Sequence, residues 1–168
     1  MANETGMLAG RIAIITGAAS GIGAGIMQNF LDEGAQVLGV DLPSERWSND
    51  DEPHDGLVRF AIDVTLDEAP QEIVKAAIHA FSSIDILVNN AGISPPGSAA
   101  DTSDEIWRKV MALNVDAVFH LTREAVPHLK KSDCARIINT GSIMSELAGP
   151  GIIAYVTSKH AVAGMTKA

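Results

Sequence analysis

The sequence has 168 residues, of which 46% are hydrophobic and 20% are charged, and its formal net charge is −9. This length and this balance are typical of one globular domain and argue against a disordered chain. The negative charge disfavours nucleic acids and anionic membranes as partners, because both present negative phosphate groups.

The cysteine content and the N-terminus predict a cytoplasmic protein. The chain has one cysteine, Cys134, so it cannot form an intrachain disulfide, which suits a reducing compartment. Residues 1–6 lack the basic and apolar regions of a secretory signal, and no window has the apolar length of a membrane span. We therefore expect a soluble protein with an N-terminal tail (residues 1–7) and one domain (residues 8–168).

Short β-branched segments alternate along the chain with longer helical ones. The predicted strands are residues 11–16, 36–41, 57–62, 84–88 and 136–140. The predicted helices are residues 21–33, 66–81, 101–130 with a break near Ala112, and 154–168. The alternation predicts an α/β fold, a Rossmann-type doubly wound parallel sheet with helices on both faces. Such a sheet binds its ligand at the carboxyl ends of the strands.

Residues 43–56 are polar and irregular. They contain five acidic side chains: Glu45, Asp50, Asp51, Glu52 and Asp55. A run of this kind could bind a metal ion, but it is more typical of a solvated loop. Because the chain also lacks the spacing of a metal-ligand motif, we predict no metal site.

A glycine-rich turn, TGAASGIG (residues 16–23), follows the first predicted strand. Gly17 permits a sharp turn, Gly21 lets the backbone approach a diphosphate, and Gly23 allows helix and strand to pack closely. The following helix N-terminus offers N–H groups and a partial positive charge to that diphosphate. The spacing is neither G-x-G-x-x-G nor a P-loop, so a turn without a ligand remains an alternative on these residues alone.

Asp41, at the end of the second predicted strand, favours a cofactor with free ribose hydroxyls. It lies roughly 20 residues beyond the glycines, where a carboxylate can accept both hydroxyls of an adenosine ribose. Its charge opposes the 2′-phosphate of NADP, and residues 18–20 contain no arginine or lysine to offset that repulsion. The sequence therefore predicts NAD as the cofactor; the alternative is a structural aspartate that caps its own loop.

Tyr155 and Lys159 are four residues apart on the last predicted helix, so their side chains share one face. A free tyrosine titrates near pH 10, and a base active near neutral pH needs its phenolate stabilised by about 3–4 kcal/mol. A lysine ammonium about 4 Å away supplies an interaction of that order. The pair can therefore serve as an acid and a base, but the same spacing is also common on solvated helix faces.

Other polar residues favour the catalytic interpretation of this pair. Ser142 follows the fifth predicted strand, and its hydroxyl could hold a substrate carbonyl oxygen. The segment NNAG (residues 89–92) follows the fourth strand, at the edge where the cofactor is expected. Asn114 lies inside a predicted helix, where asparagine is unfavourable unless its side chain forms a hydrogen bond.

With these motifs in this order, residues 8–168 closely resemble the short-chain dehydrogenase/reductase family, in its compact, NAD-preferring branch. The resemblance implies four catalytic residues. Tyr155 would be the general acid or base, and Lys159 would stabilise its phenolate and bind the nicotinamide ribose hydroxyls. Ser142 would orient the substrate oxygen, and Asn114 would hold a relay water. It also implies a set of cofactor-binding residues, which are Gly17, Ser20, Gly21, Ile22, Gly23, Asp41, Asp63, Val64, Asn90, Ala91, Gly92, Tyr155 and Lys159. Asp63 and Val64 would contact the adenine.

The resemblance implies that hydride passes between NAD(H) and a secondary alcohol or ketone. Family members are commonly longer, so it also implies a C-terminally truncated chain that lacks the last strands of the fold. The fifth predicted strand should then be an exposed sheet edge. Two alternatives stay open: a truncated dinucleotide-binding module with little or no turnover, and a sugar-nucleotide epimerase with the same Tyr–Lys pair, which the glycine spacing suits less well.

Apolar residues occur on several sides of the helix predicted at residues 112–130, more than one contact with a sheet requires. Members of the family usually associate through this helix and the next. The resemblance therefore implies a homodimer or homotetramer that assembles through residues 112–130 and 154–168. The remaining partner would be a small-molecule alcohol or carbonyl substrate.

Overall fold

The computed structural model describes residues 6–44, 47 and 56–168. Residues 1–5 of the expected tail lie outside this part of the chain. The same is true of all five acidic residues of the expected solvated loop, Glu45, Asp50, Asp51, Glu52 and Asp55. Within the described residues, no helix is both long enough and apolar enough to cross a membrane.

Five strands form one parallel sheet, in the order β3-β2-β1-β4-β5. The strands are β1 (Ile12–Thr16), β2 (Gln36–Asp41), β3 (Leu57–Ala61), β4 (Ile86–Asn89) and β5 (Arg136–Asn139). The chain winds in one direction from β1 to β3 and in the other from β4 to β5. The chain therefore continues from β1 and from β4 to helices on opposite faces of the sheet, and a crevice is expected at the carboxyl ends of these two strands. The predicted Rossmann-type doubly wound fold is confirmed.

The helices of the described chain are α1 (Gly21–Asp32), α2 (Ala69–Phe81), α3 (Asp104–Met111), α4 (Ala117–Leu129) and α5 (Ile153–Lys167). A π-helical turn, Ala112–Asp116, joins α3 to α4, so the predicted break near Ala112 is confirmed. A short 3-10 turn, Ile143–Ser145, follows β5. α2 begins three residues later than predicted, because Asp63 accepts hydrogen bonds from Thr65 and Leu66 and so forms a turn there.

Apolar clusters cover both faces of the sheet. Because side chains alternate along a strand, Ile14 of β1 packs beneath α2 and α4, whereas Ile15 packs beneath α1. All five residues of β1 are buried, which explains why this strand is continuously apolar in sequence. The core therefore fixes the carboxyl ends of β1, β2 and β4 relative to one another.

β5 is less covered than the central strands. It lies at one edge of the sheet, and its Ile137 and Ile138 remain 39% and 43% exposed. The expectation of an exposed edge is confirmed.

At the amino end of β4, the Asp85 carboxylate accepts hydrogen bonds from the Ile12 N–H (2.9 Å) and the Ser132 hydroxyl (2.5 Å). Asp85 therefore ties β1 to the segment that leads into β5, at the end of the sheet opposite the crevice.

Candidate active site

The loops that follow β1 and β4 are joined by hydrogen bonds at the carboxyl edge of the sheet. The Thr16 hydroxyl accepts from the N–H groups of Asn90 (3.0 Å) and Ala91 (3.1 Å). In return, the Asn90 side-chain amide donates to the Thr16 carbonyl at 3.1 Å. This reciprocal pairing holds the glycine turn and the NNAG segment side by side, and a groove of about 550 Å³ opens beside them.

The groove gathers most of the residues predicted to bind the cofactor. Those that line it are Gly17, Ser20, Gly21, Ile22, Asp41, Asp63, Val64, Asn90, Ala91 and Gly92. The other three predicted residues, Gly23, Tyr155 and Lys159, do not line it. Seven further residues, which were not predicted to bind the cofactor, also line it: Leu42, Ile62, Thr65, Ile93, Lys109, Ala112 and Leu113.

The three glycines of the turn serve different steric needs. Gly17 and Gly21 have φ angles of 69° and 54°, in the left-handed region that favours glycine. A Cβ atom on Gly21 would meet nothing within 4 Å, so the space above its backbone is open to a ligand. A Cβ atom on Gly23 would lie 1.9 Å from the Gly17 carbonyl oxygen, so α1 could not pack as closely on the turn.

The N-terminus of α1 faces this turn with its backbone donors available. Ser20 occupies the N-cap position but makes no side-chain cap bond to the helix. The first-turn N–H groups of α1 therefore keep their capacity to bind an anionic group, which the partial positive charge of the helix end also favours.

The Asp41 carboxylate has both a structural role and remaining binding capacity. Its Oδ2 accepts the Ala19 N–H at 2.8 Å, and its Oδ1 accepts the Leu42 N–H at 2.7 Å. Asp41 therefore ties its own loop to the glycine turn. Each carboxylate oxygen can accept a further hydrogen bond, so the loop-capping role and a ribose-binding role are compatible. Among the described residues that line the groove, Lys109 is the one cationic side chain.

Lys159 is buried next to Tyr155. It is 6% exposed, and its Nζ donates to the Thr140 carbonyl at 2.6 Å. The same Nζ lies 5.7 Å from the centroid of the Tyr155 ring. Burial lowers the pKa of Lys159 below its usual value, because desolvation disfavours the ammonium form. A solvated lysine beside a surface tyrosine, which the spacing alone allows, does not describe this arrangement.

Ser142 is held by two hydrogen bonds, to two different residues, at the start of the 3-10 turn. Its Oγ accepts the Met144 N–H at 3.1 Å, while its own N–H donates to the Ser145 Oγ at 3.0 Å. The Ser142 hydroxyl hydrogen has no acceptor in the part of the chain that the structure describes, and neither has the Tyr155 hydroxyl. Both hydroxyl groups can therefore bond to a substrate oxygen.

Asn114 lies in the π-helical turn and is 1% exposed. Its Oδ1 accepts the Ile93 N–H at 3.0 Å, and its Nδ2 donates to the Ile93 carbonyl at 2.9 Å and to the Ser158 hydroxyl at 3.0 Å. The prediction that this asparagine must form side-chain hydrogen bonds is confirmed. Because both amide hydrogens have protein acceptors, a relay water would have to use Oδ1 or the backbone carbonyl of Asn114.

Thr140 connects Lys159 to Asn90, which lines the groove. Its hydroxyl donates to the Asn90 Oδ1 at 3.2 Å, and its carbonyl accepts from Lys159. Four further residues that were not predicted as site residues form hydrogen bonds within it: Thr16, Thr140, Ser145 and Ser158. Thr16 and Thr140 could have been predicted from their positions, because each is a polar residue at the carboxyl end of a predicted strand.

Comparison with known proteins identifies the family. Residues 11–168 match the family model described as short chain dehydrogenase. The chain is 38% identical to 3β-hydroxysteroid dehydrogenase 2 of Eggerthella lenta, an alignment that covers 99% of this chain and 66% of that protein. It is 37% identical to the L-fucose dehydrogenase of Bos taurus (95% of this chain, 59% of the relative). It is 34% identical to the 3-oxoacyl-acyl-carrier-protein reductase FabG of Thermotoga maritima (95% and 67%).

The chain therefore belongs to the short-chain dehydrogenase family, and the resemblance described from its motifs is confirmed. It spans 59–67% of the length of these three relatives. The groove and the Tyr155–Lys159 pair both lie within the residues that match the family model.

Proposed function

We propose that residues 8–168 form one domain carrying the cofactor-binding and catalytic residues of an oxidoreductase. It would transfer a hydride between NAD(H) and a secondary alcohol or ketone. The observation that carries this proposal is the buried Lys159 ammonium, which lies 5.7 Å from the Tyr155 ring and bonds to Thr140 at the carboxyl edge of the sheet. Burying an ammonium is unfavourable, so its retention beside a tyrosine supports a chemical role for the pair.

The groove has the features that a dinucleotide requires. The open space above Gly21 and the first-turn N–H groups of α1 suit a diphosphate. The Asp41 carboxylate suits the two hydroxyls of an adenosine ribose. Asp63 and Val64 line the groove near Asp41 and would contact the adenine. A bound nicotinamide dinucleotide would supply the hydride acceptor or donor, which no side chain provides.

The four proposed catalytic residues would have different roles in proton transfer and in substrate binding. Tyr155 would take the proton from an alcohol hydroxyl, or return it to a carbonyl oxygen in the reverse direction. Lys159 would stabilise the phenolate and bind a ribose hydroxyl with the ammonium hydrogens that Thr140 does not accept. Ser142 would donate its hydroxyl hydrogen to the substrate oxygen. Asn114 would contribute to a water-mediated proton relay.

We propose only the reacting group of the substrate, a hydroxyl or oxo carbon. The relatives are named for a hydroxysteroid, for fucose and for an oxoacyl group, which share a hydroxyl or oxo carbon and differ in the rest of the molecule. We therefore expect NADH formation with some members of a panel of secondary alcohols and none with nucleotide sugars. The opposite result would favour the epimerase. Binding of NAD without any turnover would favour the alternative of a dinucleotide-binding module.

Cofactor preference is tested at Asp41. We expect calorimetry to give a dissociation constant for NAD at least about a hundredfold lower than for NADP, because the carboxylate repels the 2′-phosphate. The Asp41→Asn variant removes the charge and keeps a side-chain oxygen for the Ala19 N–H. It should reduce the ratio of the NADP dissociation constant to the NAD dissociation constant by about tenfold or more. If Asp41 served only as a loop cap, the variant would weaken both nucleotides equally. Equal affinities in the unaltered protein would contradict the choice of NAD.

We also propose that the protein is cytoplasmic and assembles into a homodimer or homotetramer through residues 112–130 and 154–168. Phe119 on α4 is 50% exposed although it is a large apolar side chain, and Ile153 on α5 is 37% exposed. Contact with a second copy would remove both from water. Light scattering at micromolar concentration should give a multiple of the chain mass, and Phe119→Glu should lower it. A monomeric mass for the unaltered protein would contradict this proposal.

A further inference from the structure

We propose that Ser158 is a positioning residue that sets the catalytic helix α5 against the π-helical turn, and that its hydroxyl thereby fixes the geometry of Tyr155 and Lys159. The inference rests on the proposed function, because it concerns the same acid–base pair. Ser158 would not touch the substrate or the cofactor. Its effect would pass through the backbone of α5.

The Ser158 hydroxyl joins two elements in the interior of the protein. Its side chain is fully buried, and its Oγ donates to the Tyr155 carbonyl at 2.8 Å. The same Oγ accepts a hydrogen bond from the Asn114 Nδ2 at 3.0 Å. A serine inside a helix commonly bonds to a carbonyl of its own preceding turn. Here the second bond leaves the helix and reaches a residue 44 positions earlier in the chain.

The partner of Ser158 is itself held on its other side. Asn114 makes two hydrogen bonds with the backbone of Ile93, which lines the cofactor groove beside Gly92. A Cβ atom on Gly92 would lie 3.2 Å from the Asn114 Oδ1, so the loop after β4 packs closely on this amide. A continuous chain of hydrogen bonds therefore runs from the wall of the groove, through Asn114 and Ser158, to the backbone of the residue that carries the catalytic hydroxyl.

The π-helical geometry accounts for how Asn114 occupies this position. The hydrogen bonds of a π turn span five residues, where those of an α-helix span four, and this extra residue changes the direction in which the next side chains point. Such turns occur mostly as single insertions within α-helices, often at functional sites. In this protein the insertion separates α3 from α4, and the Asn114 amide within it bonds to both the loop after β4 and α5.

Removal of the Ser158 hydroxyl should have a greater effect than removal of an exposed hydroxyl. Water cannot take the place of the lost oxygen at a fully buried position, so one amide hydrogen of Asn114 would lose its acceptor. The structure can relieve that loss only by a shift of α5 or of the π turn. A shift of a few tenths of an ångström would change the separation between the Lys159 ammonium and the Tyr155 hydroxyl, and with it the stabilisation of the phenolate.

The chain contains one tyrosine, so tyrosinate absorbance during a pH titration reports Tyr155 alone. We compare the unaltered protein with Ser158→Ala and with the control Val162→Ala, which removes apolar atoms from another buried position on α5. Ser158→Ala should move the tyrosinate midpoint to higher pH by about half a unit or more, because the ammonium stabilises the phenolate less. Val162→Ala should lower the melting temperature and leave the midpoint unchanged. Ser158→Cys, which keeps a weak donor and acceptor, should restore part of the shift.

Turnover gives a second readout. Ser158→Ala should lower kcat for a secondary alcohol by about tenfold, a larger factor than its effect on NAD affinity, because most of the residues that line the groove lie outside α5 and the π turn. If the tyrosinate midpoints of Ser158→Ala and Val162→Ala both match that of the unaltered protein, Ser158 has only a packing role and the inference is wrong. The titration needs no substrate, so it tests Ser158 even if the unaltered chain fails to turn over. Failure of turnover in the unaltered chain would instead count against the proposed function.

Discussion

Tyr155→Phe should reduce the rate of NADH formation from a secondary alcohol by at least about a hundredfold. The substitution removes the hydroxyl that would exchange a proton with the substrate and keeps the aromatic ring beside Lys159. The rate should be measured as kcat at saturating NAD and alcohol, because the loss is expected in the chemical step and not in binding.

Two controls make this result specific to proton transfer. NAD affinity measured by calorimetry should stay within a few-fold of the unaltered value, because phenylalanine keeps the aromatic ring and the ten predicted cofactor-binding residues that line the groove are unchanged. The melting temperature should also change little, since the Tyr155 hydroxyl has no hydrogen-bond partner among the described residues. A Tyr155→Phe variant that retained more than about a tenth of the original kcat would show that another group transfers the proton.

The burial of Lys159 is the structural reason to expect so large an effect. The spacing of Tyr155 and Lys159 in sequence is compatible with a pair of solvated side chains, and nothing local distinguishes the two cases. In the folded chain Lys159 is 6% exposed and bonds to Thr140, 19 residues away in sequence. A buried charge interacts with its neighbours more strongly than a solvated one, so the ammonium can stabilise a phenolate effectively.

The sheet and the polar residues at its carboxyl edge could be predicted because their physical causes are local in sequence. A strand buried on both faces is a continuous apolar run, and β2 (Gln36–Asp41) occupies the predicted residues. The polar residues that end such runs then lie at the carboxyl edge, where the groove is found. The predicted fourth strand begins two residues before β4. Asp85 is polar and does not continue the apolar strand; its carboxylate instead accepts the Ile12 N–H at the start of β1.

The hydrogen bonds that connect the proposed catalytic residues could not be predicted, because they depend on tertiary contacts. The presence of a hydrogen bond to Asn114 was expected from the poor fit of asparagine to a helix interior, but its partners Ile93 and Ser158 are 21 and 44 residues away. The break near Ala112 was visible, whereas its π-helical form was not, since one inserted residue barely changes the spacing of apolar positions. Nothing in the sequence around Ser158 indicates its buried bond to Asn114, because a serine at this position would also suit a solvated helix face.

Gly23→Ala should destabilise the protein by roughly 3 kcal/mol or more and abolish measurable NAD binding. The added Cβ would lie 1.9 Å from the Gly17 carbonyl oxygen and 2.6 Å from the Asn90 Nδ2. The first of these atoms belongs to the backbone, which cannot rotate away as a side chain can. α1 would therefore have to move off the turn, and with it the N–H groups expected to bind a diphosphate.

Gly25, two residues further along the same helix, provides the matched control. A Cβ atom there would meet nothing within 4 Å, so Gly25→Ala changes helix propensity without a steric clash. We expect Gly25→Ala to stabilise the protein by about 0.5–1 kcal/mol, since alanine loses less conformational entropy than glycine in a helix, and to leave NAD affinity unchanged. Denaturant unfolding and calorimetry on both variants measure this contrast. Equal effects of the two substitutions would mean that the close approach of α1 to the glycine turn is not needed, and the role given to the turn in holding a dinucleotide would fail with it.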